Sequence, residues 1–131
     1  MLFYTFSSQE ERRKLGGSDF IEIQFCRMLR NTAVEFITAV DSIRHWRDDS
    51  LYVSGDDTGV FMQAYGGIFD RGIYNNLETG PIDPCGINYY GPGAIDAIVA
   101  KLQDIKPADY EKLAEWLNTA KQYNGFYILG V

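Results

Sequence analysis

The sequence predicts an α+β fold. Residues 1–131 read as one domain, with a small sheet of about four to five short strands packed against about three to four helices. Three stretches carry this expectation. In DFIEIQF, Ile21, Ile23 and Phe25 alternate with Glu22 and Gln24, the period-two pattern of a strand with one wet face. Between Ile95 and Ala120 two apolar stripes recur at helical spacing. The chain then closes on FYILGV, a run too hydrophobic to leave exposed, which places it inside the sheet.

Taken in order, Leu2 to Phe6 is a short aromatic run suited to a strand. In SSQEERRKLGG, Ser8 and Glu11 fit a capping box and Gly16 a stop, with Leu15 the lone apolar anchor. Thr32 and Glu35 form a second such box. Phe36, Ile37, Val40 and Ile43 follow at helical spacing, predicting a helix that ends near Trp46. RDDS breaks that pattern and LYVS reads as a short strand. GDDTG is either a hairpin turn or a helix entry capped by Asp56 or Asp57. The stripe Phe61, Ala64, Tyr65, Ile68 and Phe69 favours the helix, although Gly66 and Gly67 each cost it about 1 kcal/mol relative to Ala. Asp70 to Gly86 is too rich in Gly, Pro and Asn for regular structure and reads as a long loop, followed by a brief strand at INYY. Ile95, Ile98, Val99, Leu102 and Ile105 mark one helix. Pro107 suits the first turn of the next, whose stripe is Tyr110, Leu113, Trp116, Leu117 and Ala120 and whose stop is Asn124-Gly125. The two helices should pack as a pair.

The chain has a formal net charge of −6, and all of the excess falls between Asp48 and Gly91. There Asp48, Asp49, Asp56, Asp57, Asp70, Glu78 and Asp83 face one base, Arg71, while the rest of the chain is balanced. A localised field of this kind usually has a partner. A pI near 4.6 argues against nucleic acid or an anionic membrane and for a basic protein. The same stretch is rich in the Tyr, Asn and Gly residues that make adaptable contacts at protein interfaces. Tyr74, Asn75, Asn76, Tyr89 and Tyr90 are therefore candidate contact residues beside Asp48, Asp49, Asp56, Asp57, Asp70 and Asp83. Tyr52 and Tyr65 read as core.

No catalytic residue, metal site or cofactor is predicted. His45 is the only histidine, which excludes multi-histidine metal sites, and its expected place at a helix end gives a cationic imidazole a structural role. A dyad of His45 with Cys26 or Cys85 lacks any flanking signature. Asp56, Asp57 and Asp70 lack the spacing of an EF-hand. No phosphate-cradling glycine motif or GxSxG occurs. No apolar run approaches the length of a membrane span, and MLFYTF is too short for a signal peptide, so a cytoplasmic location is expected.

In size, acidity and the Asp/Tyr/Asn/Gly character of Asp48 to Gly91, the chain resembles the immunity proteins that bacteria pair with secreted toxins, including those of contact-dependent growth inhibition. The resemblance implies inhibition by occlusion: Asp56, Asp57 and Asp70 would meet the basic cleft of a cognate toxin such as a nuclease. Two alternatives stand beside it. One is a small enzyme or ligand-binding domain with its site in the Asp70 to Tyr90 loop, using Asp70 or Asp83; the other is a subunit of a larger assembly.

Two cysteines in a chain without an export signal are expected to be reduced thiols. Intact-mass measurement should accordingly give the same mass with and without reductant. A mass that rises on reduction would mean that Cys26 and Cys85 are bonded.

Overall fold

The computed structural model describes residues 1–14 and 19–130. Short helix α1 (Gln9–Lys14) precedes strand β1 (Phe20–Phe25), and a one-turn helix α2 (Val34–Ile37) follows. Strand β2 (Leu51–Ser54) leads into α3 (Thr58–Tyr65), then into β3 (Gly72–Ile73), β4 (Thr79–Gly80) and β5 (Ile87–Tyr90). Helices α4 (Ile95–Ile105) and α5 (Tyr110–Ala120) and strand β6 (Phe126–Gly130) complete the chain. The strands form one sheet of six in the order β2-β1-β6-β5-β3-β4, antiparallel at every pairing. The terminal run thus lies inside the sheet between β1 and β5, as its hydrophobicity requires. Gly125 makes that entry possible: its φ is +78°, and a Cβ there would stand 2.0 Å from the Tyr90 carbonyl oxygen.

The sheet has more strands than the sequence suggests because β3 and β4 are two residues each, too short to show alternation. They form a hairpin inside the stretch that reads as a loop. The Tyr74 N–H donates to the Glu78 carbonyl at 2.8 Å, Leu77 takes a φ of +70°, and Asn76 Oδ1 accepts the Glu78 N–H at 3.0 Å. Leu2 to Phe6, by contrast, adds only an isolated bridge, in which Tyr4 and Tyr52 exchange backbone hydrogen bonds of 2.9 and 2.8 Å on the outer edge of β2. The capping box at α1 is real but displaced: Ser8 Oγ accepts the Glu11 N–H, while the Glu11 carboxylate turns back to Ser7. Leu15 and Gly16 lie outside the described residues.

One face of the sheet packs on α3, α4 and α5. Ile21, Ile23 and Phe25 of β1 meet Phe126 and Ile128 of β6, with Phe61 and Tyr65 of α3, Ile95 and Leu102 of α4, and Leu113, Trp116 and Leu117 of α5. Helices α4 and α5 pack on each other. Ile105, on the expected stripe of α4, is exposed, and Pro107 sits in a turn three residues before α5 instead of in its first turn. The Asp109 carboxylate then accepts the N–H groups of Leu2 and Phe3, fastening the N-terminal segment to the helical layer.

The other face is not wet. Residues 26–50 cover it, so every residue of β1 is buried, Glu22 and Gln24 included. This covering segment is where the sequence misleads most, because no helix runs from Thr32 to Trp46. Only α2 and a 3₁₀ turn at Val40–Ser42 form, and the cap position is Ala33, which offers no side-chain oxygen. Of the expected stripe, Ile37 and Ile43 are buried while Phe36 and Val40 are 62% and 64% exposed. Three competing bonds account for the break. The buried Thr38 hydroxyl turns back onto the Val34 carbonyl at 3.0 Å. The N–H groups of Trp46 and Arg47, which a continuing helix would bond internally, donate instead to the Glu22 carboxylate at 2.8 and 3.1 Å.

Replacing Glu22 by Ala would leave those two partly buried donors, the Ser50 hydroxyl and the Gln24 amide short of their acceptor. Glu22→Ala should therefore lower stability by about 3 kcal/mol or more, read as a fall in the urea midpoint. Glu10→Ala, on exposed α1, should leave that midpoint nearly unchanged.

Candidate functional site

The antiparallel pairing of β1 and β2 fixes where the acids gather. Phe20 lies opposite Ser54 and Ile21 opposite Gly130, so the start of β1, the end of β2 and the end of β6 meet at one end of the sheet. The turn before β5 joins them: the Gly130 N–H donates to the Gly86 carbonyl at 3.0 Å, and a Cβ on Gly130 would stand 2.3 Å from the Pro84 carbonyl oxygen. A cleft of about 460 Å³ opens there, lined by Asp19, Phe20, Gly55, Thr58, Pro84 and Cys85 among others. Asp56 and Asp57 stand beside its Gly55 and Thr58, and Asp83 beside its Pro84. The Ser54 side chain accepts the Asp56 N–H and starts the short 3₁₀ turn Gly55–Asp57. Asp57 occupies the cap position of α3 without a side-chain cap bond, so neither acid caps the helix. Asp19 lies outside the acidic stretch Asp48–Gly91. The signal that finds it is the antiparallel hydrogen bond from the Gly55 N–H to its carbonyl, 2.8 Å.

Among the described residues, no cationic side chain lies within ion-pair distance of Asp19, Asp56, Asp57 or Asp83. Asp83 is exposed, yet part of its carboxylate serves its own turn by accepting the Cys85 N–H at 3.0 Å. The other predicted acids are elsewhere. Asp49 sits at the opposite end of β2, on the order of 15 Å away at the rise of an extended strand, and pairs with Arg27. Asp70 lies 3.8 Å from Lys101, in the middle of α4. Asp48 is exposed beside Trp46 and Tyr52.

The aromatic candidates divide. Tyr89 and Tyr90 belong to the core and not to a loop. The Tyr89 hydroxyl donates to the Asn124 carbonyl at 2.7 Å, that of Tyr90 lies 3.3 Å from the Phe69 carbonyl, and both rings are 4% exposed. Tyr74 is half-buried and its hydroxyl bonds the Pro81 carbonyl, bracing the β3–β4 hairpin. Asn75 and Asn76 are exposed at the tip. The Asn75 amide ties that tip to the covering segment through the Thr38 carbonyl at 3.0 Å.

His45 is not at a helix end. It is partly exposed, with Nδ1 3.8 Å from Glu22 Oε1. It lines a cleft of about 320 Å³ that Cys85 also lines, but no hydrogen bond joins the two. Cys26 is buried against the Tyr127 hydroxyl at 3.5 Å, and both thiols are free. Among the described residues, no helix is long and apolar enough to cross a membrane. No protein-family model matches the chain, and no curated protein or solved structure is significantly similar to it.

Five tyrosines have their hydroxyl ionisation disfavoured, in each case first by burial. For Tyr52 the neighbouring Glu22 adds to it, for Tyr65 Asp109, and for Tyr90 and Tyr127 neighbouring groups including Tyr74 and Cys26. Tyr89 is pushed up to about 12. A folded-state value above the unfolded one, near 10, gives stability that is complete below about pH 10 and lost as pH rises through the folded value. The urea midpoint should hold to about pH 9.5 and fall steeply between about pH 10 and 12. Absorbance at 295 nm should show these five tyrosines of the nine ionising only as the protein unfolds.

Proposed function

We propose that this chain binds a basic protein through the acidic end of its sheet and blocks that protein's working surface, as an immunity protein does its toxin. The observation that carries this is a cleft lined by Asp19, with Asp56, Asp57 and Asp83 next in the chain to its Gly55, Thr58 and Pro84, and with no basic side chain in ion-pair reach of these acids among the described residues. Uncompensated charge at one end of a small molecule steers an oppositely charged partner and speeds encounter, which an antidote requires. Asn75 and Asn76, projecting from the hairpin tip, add polar contact capacity at the neighbouring edge. Asp49 and Asp70, already paired within the chain, contribute little to the field.

A second reading draws on a cleft of about 440 Å³ between the α3–β3 connection and α4, lined by Ile68, Ile98 and Tyr90 together with Asp70, Arg71 and Lys101. An apolar lining with a few charged groups suits a small amphipathic ligand. In that case Arg71→Ala abolishes binding of that ligand and substitutions at Asp56 and Asp57 do not.

For the protein-binding function the decisive variant is Asp56→Lys/Asp57→Lys. With a partner captured on the immobilised parent protein and identified by mass spectrometry, stopped-flow association should be slowed about tenfold or more at low salt by this variant. Its dependence on ionic strength should flatten, and dissociation should change little. Unchanged association and salt slope would show that the acidic end is not the interface.

A further inference from the structure

Helix α1 buries none of its six residues, yet one of its side chains reaches the sheet. The guanidinium carbon of Arg12 lies 4.2 Å from the centroid of the Trp46 ring and 5.5 Å from that of Phe20. Trp46 stands edge-on to Phe20 at 5.7 Å and stacks on Tyr52 at 5.7 Å, so the cation faces an indole backed by two further rings. Asp48, exposed and without an ion-pair partner among the described residues, lines the same small pocket as Arg12, Trp46 and Tyr52. An indole face, a second ring at its edge and a nearby carboxylate form the usual receptor for a guanidinium, which stacks on the ring and leaves its N–H groups for the carboxylate.

Two independent features set this apart from incidental packing. Trp46 is held at a φ of +66°, a conformation that costs a bulky residue on the order of 1–3 kcal/mol, and it is kept there by the Glu22 carboxylate on its N–H. The fold thus sustains strain to present the indole. Arg12 in turn is a weakly held occupant: among the described residues its side chain bonds only Gln9 of its own helix, Nε to Oε1 at 3.0 Å.

We propose that Trp46, Phe20 and Asp48 form a receptor for the guanidinium of an arginine side chain on another protein, and that Arg12 fills it as an internal stand-in which must leave when the partner binds. This deepens the proposed binding of a basic protein by naming one side chain it presents. Its test uses a small molecule, so it stands or fails separately from the acidic end. Arg12 lowers the apparent affinity by the fraction of molecules in which it is docked, and removing it restores the intrinsic affinity.

N-acetyl-arginine methylamide is the probe, titrated into parent and Arg12→Ala protein while the indole N–H signal of Trp46 is followed by NMR, with Trp46→Phe identifying that signal. Arg12→Ala should show a saturable shift with at least about tenfold tighter binding than the parent. The lysine analogue should bind several-fold more weakly, because an ammonium cannot stack on the ring. Adding Asp48→Asn should weaken arginine binding several-fold. Arg12→Met, which keeps the aliphatic stem, guards against loss of packing. Absence of saturable binding in both Arg12 variants, or equal affinity in parent and variants, overturns the proposal. So does loss of the ring contacts around Trp46 in both variants, which would make Arg12 a structural clamp.

Discussion

The buried Glu22 carboxylate is the interaction on which one whole layer of this protein depends. A carboxylate removed from water is tolerated only when donors replace the lost hydration. Here Trp46 N–H (2.8 Å), Arg47 N–H (3.1 Å), the Ser50 hydroxyl (2.6 Å) and the Gln24 amide (2.9 Å) supply them, with the Tyr52 hydroxyl at 3.2 Å. The contacts are uneven: Trp46 bonds Oε1 and the others crowd Oε2, while the Tyr52 hydroxyl lies closer to the Arg47 carbonyl, at 2.5 Å, than to the carboxylate. Because the donors come from residues 24 and 46–52, a single side chain in the middle of β1 decides where the covering segment stops, how it turns and how it enters β2.

The two faces are consequently held together by different physics. The helical side is an apolar and aromatic core of the common kind, whose stabilisation scales with the area removed from water. On the covered side, two small apolar clusters, one around Cys26, Ile37, Tyr127 and Leu129 and one around Phe6, Phe20 and Tyr52, flank the polar centre at Glu22. Trp116 links the layers: its ring stacks on Phe25 at 4.1 Å and its indole N–H donates to the Asp49 carbonyl at 2.9 Å. Loss of the Glu22 network would therefore be felt by α5 as well as by the segment it directly organises.

What could be read in the sequence follows the same division. The α+β class, β1, β2, β5, β6, α4 and α5 were legible because each carries its own periodicity and its own stop signal, Gly125 above all. The covering segment was not: the Phe36, Ile37, Val40, Ile43 stripe predicts a helix from Thr32 to near Trp46 that does not form, because the stripe is a local pattern and a distant residue, Glu22, takes the backbone N–H groups of Trp46 and Arg47. The wet face expected for β1 failed for a related reason: alternation reports polarity, not exposure, and Glu22 and Gln24 are polar residues with internal partners. At the candidate site, Asp56, Asp57 and Asp83 could be chosen from charge alone, whereas Asp19 required the strand pairing. Tyr89 and Tyr90 read as candidate contact residues because Asn88 and Gly91 imitate a loop, yet both are buried. Asn88 in fact faces inward, its amide donating to the Ile128 carbonyl at 2.9 Å.

The charge that lies together in the chain is dispersed by the fold, and the dispersal has a mechanical consequence for binding. Strand β2 separates Asp49 from Asp56 and Asp57, and internal pairing neutralises Asp49 and Asp70, so the effective field is narrower than the sequence implies. Acids at a solvated end of a sheet act mainly on encounter, since exposed charges are screened within about 8–10 Å at physiological salt. Residence requires a desolvated anchor, the role that the proposed receptor gives to Trp46 and Phe20 beside Asp48. Both features are fastened to the β1–β2 pair, Asp19 and Phe20 being consecutive at the start of β1. A partner drawn in by the acids would meet that receptor on the same pair of strands, and the Glu22 network that holds Trp46 in place is what keeps the two in a fixed relation.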